Sequence, residues 1–165
     1  MLYFAYGPDM CTGRLRQRVP SAVPVRIARL LNHWLRFHKR SDDRSGKCDA
    51  FFTGEPADVV WGVVFDIDPA EKPLLDAHEG VGHGCVERLV TVIDLDGHAH
   101  PVFMYAAEGG HIDPTLRPYS WYRRFVVEGA RQHALPPGYV ARIEAVPAEK
   151  DRNRSRDAEN RRIVC

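Results

Sequence analysis

The sequence predicts an α+β fold whose sheet is curled or barrel-like. The elements run strand, helix, several strands, helix, hairpin, two helices, and antiparallel hairpins dominate the strand connections. Length agrees, because 165 residues suit one domain of ordinary size. That domain is expected over residues 1–150, with 151–165 as a polar C-terminal tail, and neither a repeat nor a linker interrupts it.

Leu2 to Tyr6 is a short aromatic run ending at Gly7-Pro8-Asp9, which reads as a strand entering a tight loop. Met10 to Arg18 reads as a short helix with a basic outer face, stopped at Pro20. Val23 to Phe37 is β-branched and aromatic and breaks at Asn32-His33, so it holds one or two strands. Ser41 to Asp49 is polar and reads as an exposed loop. Ala50–Thr53 and Val59–Ile67 follow as strands, and the nearly unbroken apolar run Val60–Phe65 marks the second as central. Asp68 and Pro69 supply an N-cap and a first helical residue for a helix that ends at Gly80. Cys85–Leu95 and Ala99–Ala106 form a hairpin about Asp96-Gly97. Helical periodicity then covers Pro118–Ala134 and Tyr139–Ala145, and the polar residues after Asp151 read as frayed.

Hydrophobic residues make up 44% of the chain, enough to bury a core, so wholesale disorder is excluded. No apolar run reaches the ~20 residues a membrane helix needs, and the opening residues, without a charged-then-apolar pattern, are not expected to act as a leader. A soluble, cytoplasmic protein without membrane or nucleic-acid partners is expected. Cys11, Cys48, Cys85 and Cys165 lie far apart, and free thiols are expected. The formal charge of +1 conceals a segregation. Residues 11–47 carry ten basic groups against two acids, whereas 48–110 carry twelve acids against two basic groups. Such a split suits either two patches within one fold or a face for nucleic acid or an acidic protein.

Metal and nucleophile motifs are weak. His78-Glu79-Gly80-Val81-Gly82-His83 has one residue too many for a zinc-protease helix, and its glycines break the helix. His98 and His100 flank a turn where polar residues belong. No G-x-S-x-G occurs, and Gly80–Gly84 follows a helix instead of opening one. Two features stand out. Gly7 leaves a strand where backbone N–H groups can approach a carboxylate. Glu79 ends a helix, where the negative pole of the dipole raises a carboxyl pKa toward the range of a neutral-pH acid or base.

Tyr3-Phe4-Ala5-Tyr6-Gly7 followed by Met10 resembles the Y-F-A-Y-G-S-N-[LM] signature of γ-glutamylcyclotransferases. The resemblance continues through Pro20-Ser21-Ala22, Ala28-Arg29-Leu30, Val60–Val64, Leu75-Asp76, Glu79-Gly80-Val81, Tyr122, Gly129-Ala130, Leu135-Pro136 and Tyr139. It implies a small mixed β-barrel with flanking helices and an internal cavity. It also implies release of 5-oxoproline from a small-molecule γ-glutamyl amide without cofactor or metal, with homodimers as one family option. On that resemblance Glu79 is the catalytic acid/base. Tyr3, Phe4, Ala5, Tyr6, Gly7, Pro8 and Asp9 form the loop that holds the glutamyl group, and Tyr122 belongs to the substrate pocket. The leaving amine is open; a larger metabolite is one option.

Pro8-Asp9 departs from the family's Ser-Asn, and Val86 stands where a common form has tyrosine. Pro8 has no N–H to donate, and Asp9 would either repel a substrate carboxylate or hold its ammonium. The alternatives are a non-catalytic binding protein on the same fold, or a binder of nucleic acid or acidic protein through residues 11–47. If the acidic half lines the cavity, a cationic leaving group is expected.

Overall fold

The aromatic N-terminal run forms strand β1 (Leu2–Ala5) in the computed structural model, which describes residues 1–165. It pairs antiparallel with β5 (Val59–Asp66) and parallel with β7 (Ala99–Ala107). β5 also pairs with β2 (Val23–Leu31), β2 meets β6 (Cys85–Asp94), and the β6–β7 hairpin completes a closed mixed barrel ordered β1-β5-β2-β6-β7. The central position expected for the second apolar strand is the one β5 occupies. Its Val60, Val63, Val64 and Phe65 are fully buried. Two further strands, β3 (His33–Arg40) and β4 (Gly46–Phe52), make a separate ribbon. Asn32, the expected break, turns the chain between β2 and β3 with a φ of 61°.

Five helices flank the barrel: α1 (Thr12–Arg16), α2 (Lys72–Glu79), α3 (Ser120–Gln132), α4 (Pro137–Glu144) and α5 (Arg154–Arg162). Asp68 caps the 3-10 turn before α2 by accepting from the Ala70 N–H at 2.9 Å. Gly80 ends α2 in the left-handed conformation, with φ 75°. Helix α3 lies against the turn Pro8–Met10 that follows β1. A Cβ on Gly129 would fall 2.5 Å from the Cys11 nitrogen, so this close approach requires glycine. No helix is long and apolar enough to cross a membrane.

Three local expectations change. The loop expected over 41–49 ends early, because β4 begins at Gly46 and buries Cys48 and Asp49. Asp49 looks polar in sequence, but it accepts from His38 Nε2 at 2.8 Å and from the Ala107 N–H at 2.8 Å, which joins ribbon to barrel. The segment after Asp151 is a docked helix instead of a frayed tail. Buried Asp151 anchors it, accepting from Trp121 Nε1 at 2.9 Å and from Arg156 at 2.6 and 2.8 Å. Those bonds, from Arg156 above all, hold the Asp151 carboxyl down at about 2.

The third change concerns the thiols. Cys11 and Cys165 form a disulfide across 154 residues of sequence, while Cys48 and Cys85 stay free and buried. Spacing could not reveal the pair, because docking of α5 on α3 brings the chain end over α1. Arg124 reaches the Asn160 carbonyl at 2.9 Å, and Gln132 reaches that of Cys165 at 2.8 Å. Closing so long a loop restricts the unfolded chain, so Cys11→Ser or reduction should cost about 3–5 kcal/mol. Calorimetric melting with and without dithiothreitol checks this. An unchanged melting temperature would mean that the tail docks without the bond.

Candidate active site

Seven of the residues expected at the site meet at one place. Tyr3, Tyr6, Gly7, Pro8, Asp9, Glu79 and Tyr122 line a small inner pocket of about 30 Å³, room for a water molecule. The pocket shares Tyr6, Pro8, Cys48, Glu79, Tyr105 and Tyr122 with an outer cavity of about 690 Å³. Phe4 and Ala5 line neither. Both are fully buried, and strand alternation turns Phe4 to the opposite face of β1 from Tyr3, where it packs on Gly62.

Glu79 owes its position to helix geometry. Leu75, one turn earlier, is fully buried, so the same face of α2 carries Glu79 toward the barrel. Its side chain is 25% accessible, and Oε1 lies 3.3 Å from Arg18 Nη1. The same Arg18 nitrogen is 3.4 Å from Asp9 Oδ1, and Arg14 Nε is 3.9 Å from that oxygen. Tyr3 donates its hydroxyl to Asp9 Oδ2 at 3.4 Å. Two arginines therefore serve two carboxylates in a protected spot.

This arrangement pushes the Glu79 carboxyl up to about 8. Burial is the largest cause and the negative charge of Asp9 the second, while Arg18 opposes both. The direction matches expectation, but the cause does not: enclosure and a like charge raise it, where the helix dipole was expected to. Arg18 loses solvation on burial, yet Asp9 and Glu79 more than compensate and hold it firmly protonated. Burial raises the Tyr3 hydroxyl, and Asp9 and Glu79 raise it further, so it stays a neutral donor.

Asp9 is 2% exposed and its charge is met by Arg14 and Arg18. The helix expected over Met10–Arg18 shortens to Thr12–Arg16, and its basic residues divide: Arg16 is exposed, Arg14 faces Asp9, and Arg18, just past the helix end, faces Asp9 and Glu79. Around Pro8, Met10 N–H bonds the Gly7 carbonyl at 3.1 Å and Cys11 N–H bonds that of Pro8 at 3.1 Å. The N–H groups of Gly7 and Asp9 are left without a partner in the protein. They are two separate donors beside the pocket, with Pro8 supplying none between them, so the continuous run of N–H groups of an anion nest does not form. Tyr122 accepts from the Cys48 N–H at 3.0 Å, which ties α3 to β4 across the pocket.

Sequence reasoning missed Arg14, Arg18, Lys39, Cys48 and Tyr105. Arg14 and Arg18 had a usable signal, the four-residue spacing around buried Leu15. Tyr105 had none. It is fixed by long-range bonds, donating to Asp76 Oδ1 at 2.6 Å and accepting from the Tyr6 hydroxyl at its carbonyl, 2.5 Å away. Val86, in place of a family tyrosine, pairs with Ala106 in the hairpin and lines neither pocket. His78 and His83 both reach the outer cavity, but Gly80 separates them onto helix and loop.

Barrel, cavity and buried carboxylate define a small-molecule enzyme, and comparison with known proteins says of which kind. The AIG2-like family model matches residues 59–143. The γ-glutamylcyclotransferase of Bos taurus is 32% identical over 150 residues, covering 88% of this chain and 78% of that protein. The Homo sapiens γ-glutamylcyclotransferase is 31% identical with the same coverage. A solved γ-glutamyl cyclotransferase superposes with a TM-score of 0.85 at 27% identity over 97% of both chains. An uncharacterised Homo sapiens protein of known structure gives 0.82 at 30% identity, over 90% of this chain and 88% of that one. The chain belongs to the AIG2-like family, among its γ-glutamylcyclotransferase-type enzymes.

Proposed function

We propose that this protein releases 5-oxoproline from a γ-glutamyl amide, with Glu79 relaying the protons. The observation that carries the reading is the Glu79 carboxyl, raised to about 8 and lining the cavity beside unpartnered loop N–H groups. An α-ammonium ordinarily titrates at about 7.7–8.0, so proton exchange between it and such a carboxyl is nearly balanced.

The substrate binds folded, its α-nitrogen against its own γ-carbonyl, and that proximity replaces a second reactant. Ionised Glu79 takes a proton from the α-ammonium. The freed amine attacks the γ-carbon, closing a five-membered ring and placing the electron pair on the carbonyl oxygen. The Gly7 and Asp9 N–H groups can stabilise that oxyanion or hold the α-carboxylate. Carbonyl re-formation breaks the original C–N bond as Glu79 protonates the departing nitrogen. In all, two protons leave the α-nitrogen and two reach the leaving amine, so one carboxyl working twice suffices. Arg18 keeps that carboxyl in place throughout.

The test is chromatographic measurement of 5-oxoproline after incubation with γ-glutamyl dipeptides and γ-glutamyl amines. Time-dependent release from at least one class is expected. Complete failure across the panel with a folded protein would remove the reaction.

A further inference from the structure

Among the features outside the reacting centre, the wall of the outer cavity carries the most information. Residues 11–47 supply Arg14, Arg18, Lys39, Arg40 and Lys47 to it, against only Asp42 and Glu79 as carboxylates. The expectation that the acidic half of the chain lines the cavity and selects a cationic leaving group is therefore reversed. Half of the segment's ten basic residues reach the wall: Arg14 from α1, Arg18 just beyond it, Lys39 and Arg40 from the end of β3, and Lys47 from β4.

Pairing sharpens the point. Arg18 is matched by Asp9 and Glu79, and Lys47 by Asp43 at 2.6 Å. The Lys39 ammonium pairs with no carboxylate and hydrogen-bonds only the Glu79 main-chain carbonyl, at 3.5 Å, which sets it beside the residue of the reacting carboxylate. Arg40 has no carboxylate within ion-pair distance. Arg14 is 9% exposed, its side chain makes no hydrogen bond, and its Nε has no partner. Its guanidinium lies 3.9 Å from Asp9 and 4.7 Å from the centre of the Phe125 ring. Its two outer guanidinium nitrogens have no acceptor in the protein, so a ligand anion in the cavity can take their hydrogen bonds. His78, His83 and His111 also line the wall, and Glu108 lies 3.5 Å from His111. A cavity of about 690 Å³ also leaves space well beyond a glutamyl group.

We propose that the leaving amine is polyanionic, carrying at least two negative charges that Arg14, Lys39 and Arg40 receive in the outer cavity. This rests on the ring-closing reaction proposed above and names the substrate class for that same site. Two carboxylates, or a carboxylate and a phosphate, share this chemistry. Arg14 serves the end nearer Asp9, and Lys39 and Arg40 serve the β3 end.

Two readouts separate this proposal from the reaction itself. The first is calorimetric binding to Glu79→Gln, which cannot turn substrate over. Its probes are γ-glutamyl-glutamate, γ-glutamyl-O-phosphoserine, γ-glutamyl-alanine and γ-glutamyl-diaminobutane. Both polyanionic amides should bind at least tenfold tighter than the alanine compound, and the diaminobutane compound weakest. The gap should narrow as salt rises from about 0.05 to 0.5 M, because the cavity opens to screening ions. Lys39→Gln with Arg40→Gln should lower affinity more for the polyanions than for γ-glutamyl-alanine. Preference for one polyanion over the other assigns the second anion as carboxylate or phosphate. Equal binding of all four probes, or tighter binding of the cationic one, overturns the proposal. The second readout is 5-oxoproline release by the wild type. Ordered binding without any release would keep the anion site and remove the reaction. Release at equal kcat/KM from all four would keep the reaction and remove the anion site.

Discussion

The Glu79→Gln variant is expected to fold and to lose 5-oxoproline release by at least about 10²–10⁴-fold, the usual worth of a positioned acid/base. The amide retains size and hydrogen bonding toward Arg18 but cannot carry a proton between two nitrogens. Stability supplies an independent check, because the Glu79 carboxyl is raised to about 8. A carboxyl raised on folding contributes stability that is present below its unfolded value and is lost as pH rises through the folded one. Ionised Glu79 is thus a burden on the folded state at pH 9 and none at pH 4. The glutamine variant escapes that burden. Its melting temperature should exceed the wild type's at pH 9, with the difference shrinking toward zero at pH 4–5. Scanning calorimetry across that range decides. A variant less stable than wild type at every pH would mean that Arg18 holds the ionised carboxylate more strongly than burial opposes it.

The parts of the fold legible in sequence were those set by local chemistry. Gly80 stopped α2, Asp96-Gly97 turned the hairpin, and the apolar run of β5 declared its central place. The helix stop after Glu79 placed a carboxylate at a defined end, but its proposed role as acid/base came from the resemblance to γ-glutamylcyclotransferases and not from that local signal. What stayed hidden depends on contacts distant in sequence. The Cys11–Cys165 disulfide needs α5 docked by Asp151 and Arg124, and neither residue's partner is near it in the chain. Burial of Asp49 depends on His38 and on the Ala107 backbone, 58 residues away. The charge of residues 11–47 was plain, but its direction was not. Composition counts charges without saying which side of an element they occupy, and here half of the ten basic residues line a cavity.

Asp9→Asn tests the electrostatic arrangement that distinguishes this site, and it is expected to move both the pH profile and the stability. Asp9 supplies the second-largest push on the Glu79 carboxyl, after burial. Without that charge, Arg18 faces one carboxylate instead of two, and the pKa of Glu79 must fall. The acidic limb of kcat/KM should then shift to lower pH. The plateau should drop as well, because a weaker base no longer matches the substrate ammonium. Stability moves the other way. Arg14 and Arg18 lose a buried counter-charge, and breaking such a pair costs about 3–5 kcal/mol. The isosteric amide still accepts from Tyr3, so the loop keeps its shape and the loss is electrostatic in origin. A companion Arg14→Met change should therefore recover part of the stability lost in Asp9→Asn, as removal of both members of a buried pair does. The two limbs are separable: kinetics from pH 5 to 9 reads Glu79, and denaturant melts at pH 7 read the pair. An unmoved profile would detach Asp9 from Glu79. Stability loss in the double variant equal to the sum of the single losses would detach Asp9 from Arg14.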